Sequence, residues 1–554
     1  MSMKFRLALC QMNQKVGDIA GNVERMLEWR RRAAEAGADI VMFPEMQVTG
    51  YPTEDLTLKP SFVRRAMEAN EDVADATSDG GPPIIFGGIH AHDGSVYNAV
   101  FLAEKGGISA WRAKHELPNY GTFDEHRIFD AGPLPDPVEW NGIKLGLPIC
   151  EDIWQERVCH HLSDEGAEIL LVMNGSPYEL DKDETRTKMV RERMSETGLP
   201  LVYLNRVGGQ DELAFDGSSF VVNTGGAIPI QLPDWNETIV VTEWEKTEDG
   251  WVCADGEKAA LDPFPEDIYH AMMEGLQEYV DGNGFKSVLI GLSGGIDSAL
   301  TAAIAVDALG ADRVWCVMLP SQYTSDDSLE DAKQCAEMLG CRYDIIPIGE
   351  GTDAMTSILN EHFEGHPADT TEENIQSRLR MVILMALSNK FGPMLLTTGN
   401  KSEMSVGYAT LYGDMAGGYN VLKDAYKTTC FTLARWRNRH KPRRAKGPDG
   451  AVMPMRIITK PPSAELRHDQ KDEDSLPPYK LLDRILESLI EDENAVAKTA
   501  RKTGADEKLV AEIEKLILHS EYKRRQAPIG VKIGQRNFGR DRRYPITNTF
   551  RTGK

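Results

Sequence analysis

The chain has 554 residues, too many for one hydrophobic core, and about two to four domains are expected. Its formal net charge of −24 opposes nucleic-acid binding, and no apolar run approaches the ~18 residues that cross a membrane. The start, MSMKFRLALCQMNQ, turns polar too early for a signal peptide, so a cytoplasmic protein with neither membrane nor nucleic-acid partners is expected.

Hydrophobic residues make up 41% of the chain, which suits a globular protein. Its eight cysteines, Cys10, Cys150, Cys159, Cys253, Cys316, Cys335, Cys341 and Cys430, contain no CxxC pair. In a reducing compartment they read as buried thiols with room for one nucleophile.

Short apolar runs at 5–10, 39–43, 84–89, 143–149, 168–173 and 200–204 read as strands, separated by helix-like segments such as NVERMLEWRRRAAEAGA. That rhythm predicts an α/β sandwich. Residues 234–265 turn acidic and are punctuated by Trp and Pro, as a domain's last strands and a linker would be. The expected division is a first domain over 1–255, a linker over 256–270 and a second domain over 271–554. In the second, strands at 288–291, 314–319, 343–348 and 394–398 alternate with helices at 327–339 and 372–390, the pattern of a doubly wound parallel sheet. Residues 437–476 are mostly polar and read as a partly mobile loop. Two basic stretches interrupt the acidic text. RWRNRHKPRRAK (435–446) reads as a solvated face, whereas 522–544, interleaved with glycine and aromatics, is expected to face phosphate.

Three residues of the first half each follow or flank a strand-like run: Glu45 in VMFPE, Lys114 in AKHELPNY and Cys150 in LGLPICED. A lone cysteine after such a run is more often inert core. Together the three supply a base, a cation and a thiol, which covalent amide hydrolysis requires. A thiol of pKa near ~8.5 is mostly protonated at neutral pH and needs a base to become a nucleophile.

With its flanking text, this combination resembles the nitrilase, or carbon-nitrogen hydrolase, superfamily over roughly residues 4–260. The resemblance implies an α-β-β-α sandwich, with Cys150 as nucleophile, Glu45 as general base and Lys114 steadying the oxyanion. It also implies an oxyanion donor at the backbone N–H of Glu151, an additional glutamate at Glu125, and glutamine contacts from Tyr51, Tyr120, Glu151 and Ser176. Tyr51 and Tyr120 read equally well as packing aromatics.

The second half carries VLIG (288–291), then SGGIDS (293–298), then an alanine-rich helix-like stretch. A glycine turn between strand and helix exposes backbone N–H groups at a helix amino end, where a phosphate is favoured. Ile296 and Asp297 stand where a Walker A motif needs glycine and lysine. SGGIDS instead resembles the pyrophosphate loop of the N-type ATP pyrophosphatases, which makes ATP a co-substrate. Downstream lie Arg378 and Arg380 in ENIQSRLRM, Glu403 in TTGNKSEMS, and Lys423 and Lys427 in KDAYKTT. Asp297 and Glu403 would jointly hold Mg²⁺, a hard cation that prefers carboxylates. Glu403 also reads as a helix cap, Arg378 as a surface ion pair, and the two lysines as solvated charges.

GNKSE, PPSAEL (461–466) and the tail SEYKRRQAPIGVKIGQRNFGRDRRYPITN make residues 266–554 similar to NAD synthetases. The whole chain resembles the glutamine-dependent NAD synthetases. That resemblance implies a carbon–nitrogen ligase that adenylates deamido-NAD with ATP and displaces AMP with ammonia from glutamine. It implies ATP binding by Ser293, Gly294, Gly295, Asp297, Ser298 and Thr398, and deamido-NAD binding by Asn374, Arg378, Lys427 and Lys523. It also implies a homo-oligomer, at least a dimer, formed through the second domain. A thiolation enzyme or GMP synthetase is the rival enzyme, and the acidic charge and missing CxxC count against it. A nucleotide-sensing pseudo-enzyme is the rival without catalysis, and the intact Glu45, Lys114, Cys150, Asp297 and Glu403 count against that.

Overall fold

A computed structural model describes residues 3–468, 470–474 and 476–550. The outermost residues of the two expected domains, 1–2 and 551–554, and positions 469 and 475 of the expected 437–476 loop lie outside the described residues. The chain divides into two compact units, Met1–Asp262 and Pro263–Lys554. The division falls inside the expected linker, and the helix Glu266–Gly282 begins there as well.

The first unit is the expected α-β-β-α sandwich. One sheet has seven strands, in the order Gly250–Cys253, Thr238–Thr247, Lys4–Gln11, Ile40–Met42, Ile84–His92, Ser95–Glu104 and Gly107–Ala113. The other has six: Ile230–Gln231, Phe220–Val222, Leu201–Asn205, Ile169–Asn174, Ile143–Gly146 and Val138–Trp140. Alternation along one strand shows how the sequence builds the layers. Phe5, Leu7 and Leu9 pack into the core between the sheets, and Ala8 and Cys10 pack outward beneath the helices Ile19–Glu35 and Pro60–Asp75. The helices Glu156–Asp164 and Lys182–Thr197 cover the second sheet through Val158, Leu162, Met189 and Val190. Parallel pairing within both sheets brings several strand ends to one edge. Glu45, Cys150 and Gly175 each lie just beyond such an end.

The second unit holds a five-stranded all-parallel sheet in the order Arg342–Ile345, Val314–Met318, Val288–Gly291, Met394–Thr397 and Tyr419–Asn420. Counted along the chain that is 3-2-1-4-5, a doubly wound arrangement with its switch point between Val288–Gly291 and Met394–Thr397. The helix Ile296–Leu309 is buried on nearly every residue, which accounts for its continuous run of small apolar side chains.

Two stretches of this unit are paired internally beyond what their text announces. Residues 437–459 are held down: the Arg437 guanidinium binds Asp307 at 2.6 Å and donates to the carbonyls of Pro448 and Gly450, while Val452, Met453, Ile457 and Ile458 are buried. One buried ion pair converts a polar text into fixed structure. The basic tail spends several of its charges internally, with Lys532 on Asp541 at 3.0 Å, Arg542 on Glu521 at 2.9 Å and Arg536 on Glu493 at 3.2 Å. Among the described residues, no helix is long and apolar enough to cross a membrane.

Candidate active sites

In the first unit, Glu45 and Lys114 meet with neither side chain exposed. The Lys114 ammonium donates to Glu45 Oε1 at 2.9 Å and to Glu125 Oε1 at 3.0 Å. Asn98 Nδ2 donates to Glu45 Oε1 at 2.7 Å, and the Gly175 N–H donates to Glu45 Oε2 at 2.7 Å. Both oxygens of the carboxylate are therefore fixed. Gly175 leaves room for this, because a Cβ there would stand 2.7 Å from the Tyr51 ring and 3.2 Å from Glu45 Oε2. Tyr51 donates to Glu125 at 2.8 Å. Burial pushes Glu125 up to about 7 against the pull of Lys114. Burial works against the Lys114 charge, yet Glu125 and Glu45 hold its pKa above the ordinary lysine value.

Cys150 opens a short 3₁₀ turn, Cys150–Ile153, with a φ of +45°. A left-handed conformation costs a non-glycine residue about 1–3 kcal/mol, and such strain persists only where surrounding structure enforces it. Asp152 does so. Its carboxylate accepts from the Ile149 N–H at 2.9 Å, the His115 N–H at 3.0 Å and the Glu116 N–H at 2.8 Å, tying the cysteine turn to the segment that carries Lys114. Burial and the Glu45 charge raise the Cys150 pKa, and the Lys114 charge opposes them, so the resting group is a thiol that feels both charges. Tyr120 donates to Glu151 at 2.9 Å. Ser176 is buried, its Oγ accepting from Arg186 at 3.3 Å and its N–H donating to Asn205 at 2.9 Å.

In the second unit a cleft of about 320 Å³ lies at the switch point of the sheet. Ser293, Gly295, Asp297 and Ser298 line it from one side, Thr398 and Glu403 from the other. Ser298 Oγ accepts from the Ser293 N–H at 3.1 Å, closing the loop on itself. Gly294 has a φ of +75°, and a Cβ there would stand 2.4 Å from the Ser328 carbonyl, so the loop needs glycine on two counts. Asn400 caps the short helix Lys401–Val406 and donates to Asp297 at 3.1 Å. The Lys427 ammonium bridges Asp297 at 2.5 Å and Glu403 at 3.0 Å. Burial, with Asp297 nearby, pushes Glu403 up to about 7 against the opposing charge of Lys427.

Asn374 and Arg378, from the helix Thr370–Phe391, and Lys523, from the short helix Glu521–Arg524, all bind the segment 407–411 beside the cleft. Thr410 donates to Asn374 at 2.8 Å, Arg378 donates to the Leu411 carbonyl at 3.2 Å, and Lys523 donates to the carbonyls of Gly407 at 2.9 Å and Ala409 at 2.7 Å. Tyr408 and Ala409 of that segment reach the cleft wall.

The carbon-nitrogen hydrolase family model matches residues 6–247, and the NAD synthase model matches residues 268–527. The glutamine-dependent NAD(+) synthetase of Rhodobacter capsulatus is 49% identical, with 100% of each chain covered. The chain belongs to the glutamine-dependent NAD(+) synthetases. The Acinetobacter baylyi synthetase is 44% identical over 99% of each chain. The solved structure of the Acinetobacter baumannii synthetase, in complex with ADP, is 41% identical over 98% of each chain and superposes with a TM-score of 0.77.

For a synthetase of this family, sequence reasoning missed three contributors. Asn98 sits in a strand, Ser95–Glu104, that otherwise reads as core, and its signal was a polar residue on a buried face. Asp152 lies two residues beyond Cys150, and an Asp able to accept backbone N–H bonds beside a tight turn was the available cue. Lys460, just before PPSAEL, lines the cleft and donates to Ser328 at 3.1 Å. Arg380, noted in sequence without a role, also lines the cleft, and burial lowers its pKa to about 10. Lys423 is buried and lies away from the cleft lining.

Proposed function

We propose that Cys150 of this synthetase attacks the side-chain amide carbon of glutamine, with Glu45 taking the thiol proton and delivering it to the departing nitrogen. Ammonia leaves and a thioester remains. Water, deprotonated by Glu45, then cleaves the thioester to glutamate and restores the thiol. A resting thiol whose pKa burial has raised makes a spontaneous thiolate scarce, so proton removal accompanies attack. Lys114 lends positive charge to the tetrahedral oxyanion, and the Glu151 N–H is the second donor. Tyr51, Tyr120, Glu151 and Ser176 surround the bound glutamine. On this reading residues 1–255 are the amidohydrolase and 271–554 the synthetase.

In the second unit, Ser293, Gly294, Gly295 and Ser298 receive the ATP phosphates at the amino end of the helix Ile296–Leu309, with Thr398 across the cleft. Asn374, Arg378, Lys427 and Lys523 face deamido-NAD, whose nicotinate carboxylate attacks the α-phosphorus of ATP and expels pyrophosphate. Ammonia then attacks the acyl carbon, giving NAD and AMP. Two carboxylates converging on one cationic group are a donor set suited to a hard cation, so Asp297 and Glu403 would hold Mg²⁺. That ion would offset phosphate-oxygen charge when bound. The observation carrying this reading is that Asp297 and Glu403, 106 positions apart in chain number, meet over Lys427 at the switch point. A cytoplasmic location and a homo-oligomer of at least two chains complete the reading.

Mass spectrometry of a reaction with glutamine, ATP, Mg²⁺ and deamido-NAD tests it. NAD, glutamate, AMP and pyrophosphate are expected. ADP and phosphate in place of AMP and pyrophosphate would overturn the adenylation step.

A further inference from the structure

Cys316 and Cys341 stand with their sulfurs 3.7 Å apart, in thiol form. Cys316 lies inside the interior strand Val314–Met318 and is fully buried. Cys341 is half-buried, between the helix Asp326–Leu339 and the edge strand Arg342–Ile345. Those two strands pair in parallel, with Trp315 opposite Arg342 and Cys316 opposite Tyr343, so the register itself brings the two thiols together. Among the described residues this is the one thiol–thiol contact. Cys335, the nearest further cysteine, is buried and directed at the Val452 carbonyl, 3.6 Å away.

We propose that Cys316 and Cys341 form a vicinal dithiol modification site that hydroperoxides close to an intramolecular disulfide. The partly exposed Cys341 thiolate attacks the terminal oxygen of the hydroperoxide and breaks its O–O bond, giving a sulfenic acid and releasing hydroxide from hydrogen peroxide or an alkoxide from an organic hydroperoxide. The Cys316 thiol then attacks the sulfenic sulfur, its proton leaving with the hydroxyl as water, and the S–S bond forms. Peroxide is reduced by two electrons and the two thiols are oxidised by the same two. The pairing suits this division of labour. The contact with Cys316 holds the Cys341 thiol below the ordinary cysteine value, and the same contact, together with burial, raises that of Cys316. An external dithiol reverses the bond by exchange.

Closure has a reason to be felt at the nucleotide cleft. A disulfide needs sulfurs about 2.05 Å apart, so from 3.7 Å they must approach by about 1.6 Å. Cys316 is followed directly by Val317, Met318 and Leu319, all of which line that cleft. In a close-packed sheet the strand cannot yield at one residue without moving its neighbours.

The test treats the full-length protein with hydrogen peroxide, alkylates the remaining thiols and maps the tryptic peptides. A bond joining Val314–Lys333 to Gln334–Arg342 is expected, together with a several-fold rise in the KM for ATP in ammonium-driven synthesis, both reversed by dithiothreitol. That assay makes no use of Cys150. Cys341→Ser should abolish bond and KM change alike while keeping untreated activity, and Cys335→Ser should retain both. Oxidation of Cys341 to sulfinic acid with Cys316 still alkylatable would overturn the dithiol. A quantitative disulfide with an unchanged KM for ATP would overturn its link to the cleft.

Discussion

Glu45 and Lys114 share a 2.9 Å hydrogen bond in a pocket where neither side chain is exposed. A buried pair of this kind adds little net stability over an apolar pair, because desolvation offsets the attraction. Its value here is chemical. Asn98 and the Gly175 N–H fix both oxygens of the carboxylate, so in the proposed reaction Glu45 needs no rearrangement before it takes a proton.

Cys150→Ala should abolish glutamine-dependent NAD formation, by at least about 10³-fold, since no other group can form the thioester. Synthesis driven by ammonium chloride should stay within about twofold of wild type, a small effect on the scale of transition-state losses. The comparison of the two nitrogen sources decides it, and loss of both in a folded variant would remove the case for two separate sites.

Asp152→Ala removes the acceptor of three backbone N–H groups that hold the strained Cys150 turn. The glutaminase kcat is expected to fall by about 10²-fold, the scale of a misplacement near 1 Å. Asp152→Asn keeps one acceptor oxygen and should restore part of the rate. A KM effect alone, with kcat intact, would mean that the turn does not depend on Asp152.

Much of this architecture is legible in the sequence because periodicity carries it. The strands at Lys4–Gln11 and Ile169–Asn174 and the helix Thr370–Phe391 fall within two residues of their expected ends. The phosphate loop is legible because Gly294 answers to a local backbone demand. What escaped depends on distant pairing. Nothing near Arg437 announces Asp307, 130 residues away, and a run of arginines and lysines reads as solvated until one of them finds a buried acid. Lys427 likewise reads as a free cation, although two carboxylates from other elements enclose it. Asn98 is legible only once Glu45 stands opposite it.

Glu125 provides a pH test. Burial raises its pKa to about 7, above the ordinary glutamate value, so the folded protein holds this proton more tightly than the unfolded chain does. The stability it contributes is full below the unfolded pKa and is lost as pH rises through about 7. Glu125→Gln keeps a neutral side chain at every pH. Its deficit in Tm relative to wild type should therefore shrink between pH 6 and 8, as calorimetry across that range would record. A constant difference would place the proton elsewhere in the coupled group.

Asp297 answers to two cationic demands: it pairs with Lys427 at 2.5 Å and, on the proposed reading, would hold Mg²⁺ when nucleotide is bound. Asp297→Asn keeps the shape and the acceptor for Asn400 but removes one of the two charges that converge on the cleft. Metal-assisted charge stabilisation is worth several kcal/mol, so AMP formation should fall by at least about 10²-fold. Raising Mg²⁺ should recover part of that loss if the charge acts through the ion. Glutamate release at the other site should persist at its basal level, since Asp297 belongs to the second unit and Cys150 to the first. Pyrophosphate release measured against Mg²⁺ concentration separates the roles. A loss that no concentration of Mg²⁺ relieves would assign Asp297 to holding Lys427, and wild-type turnover throughout would remove it from the chemistry.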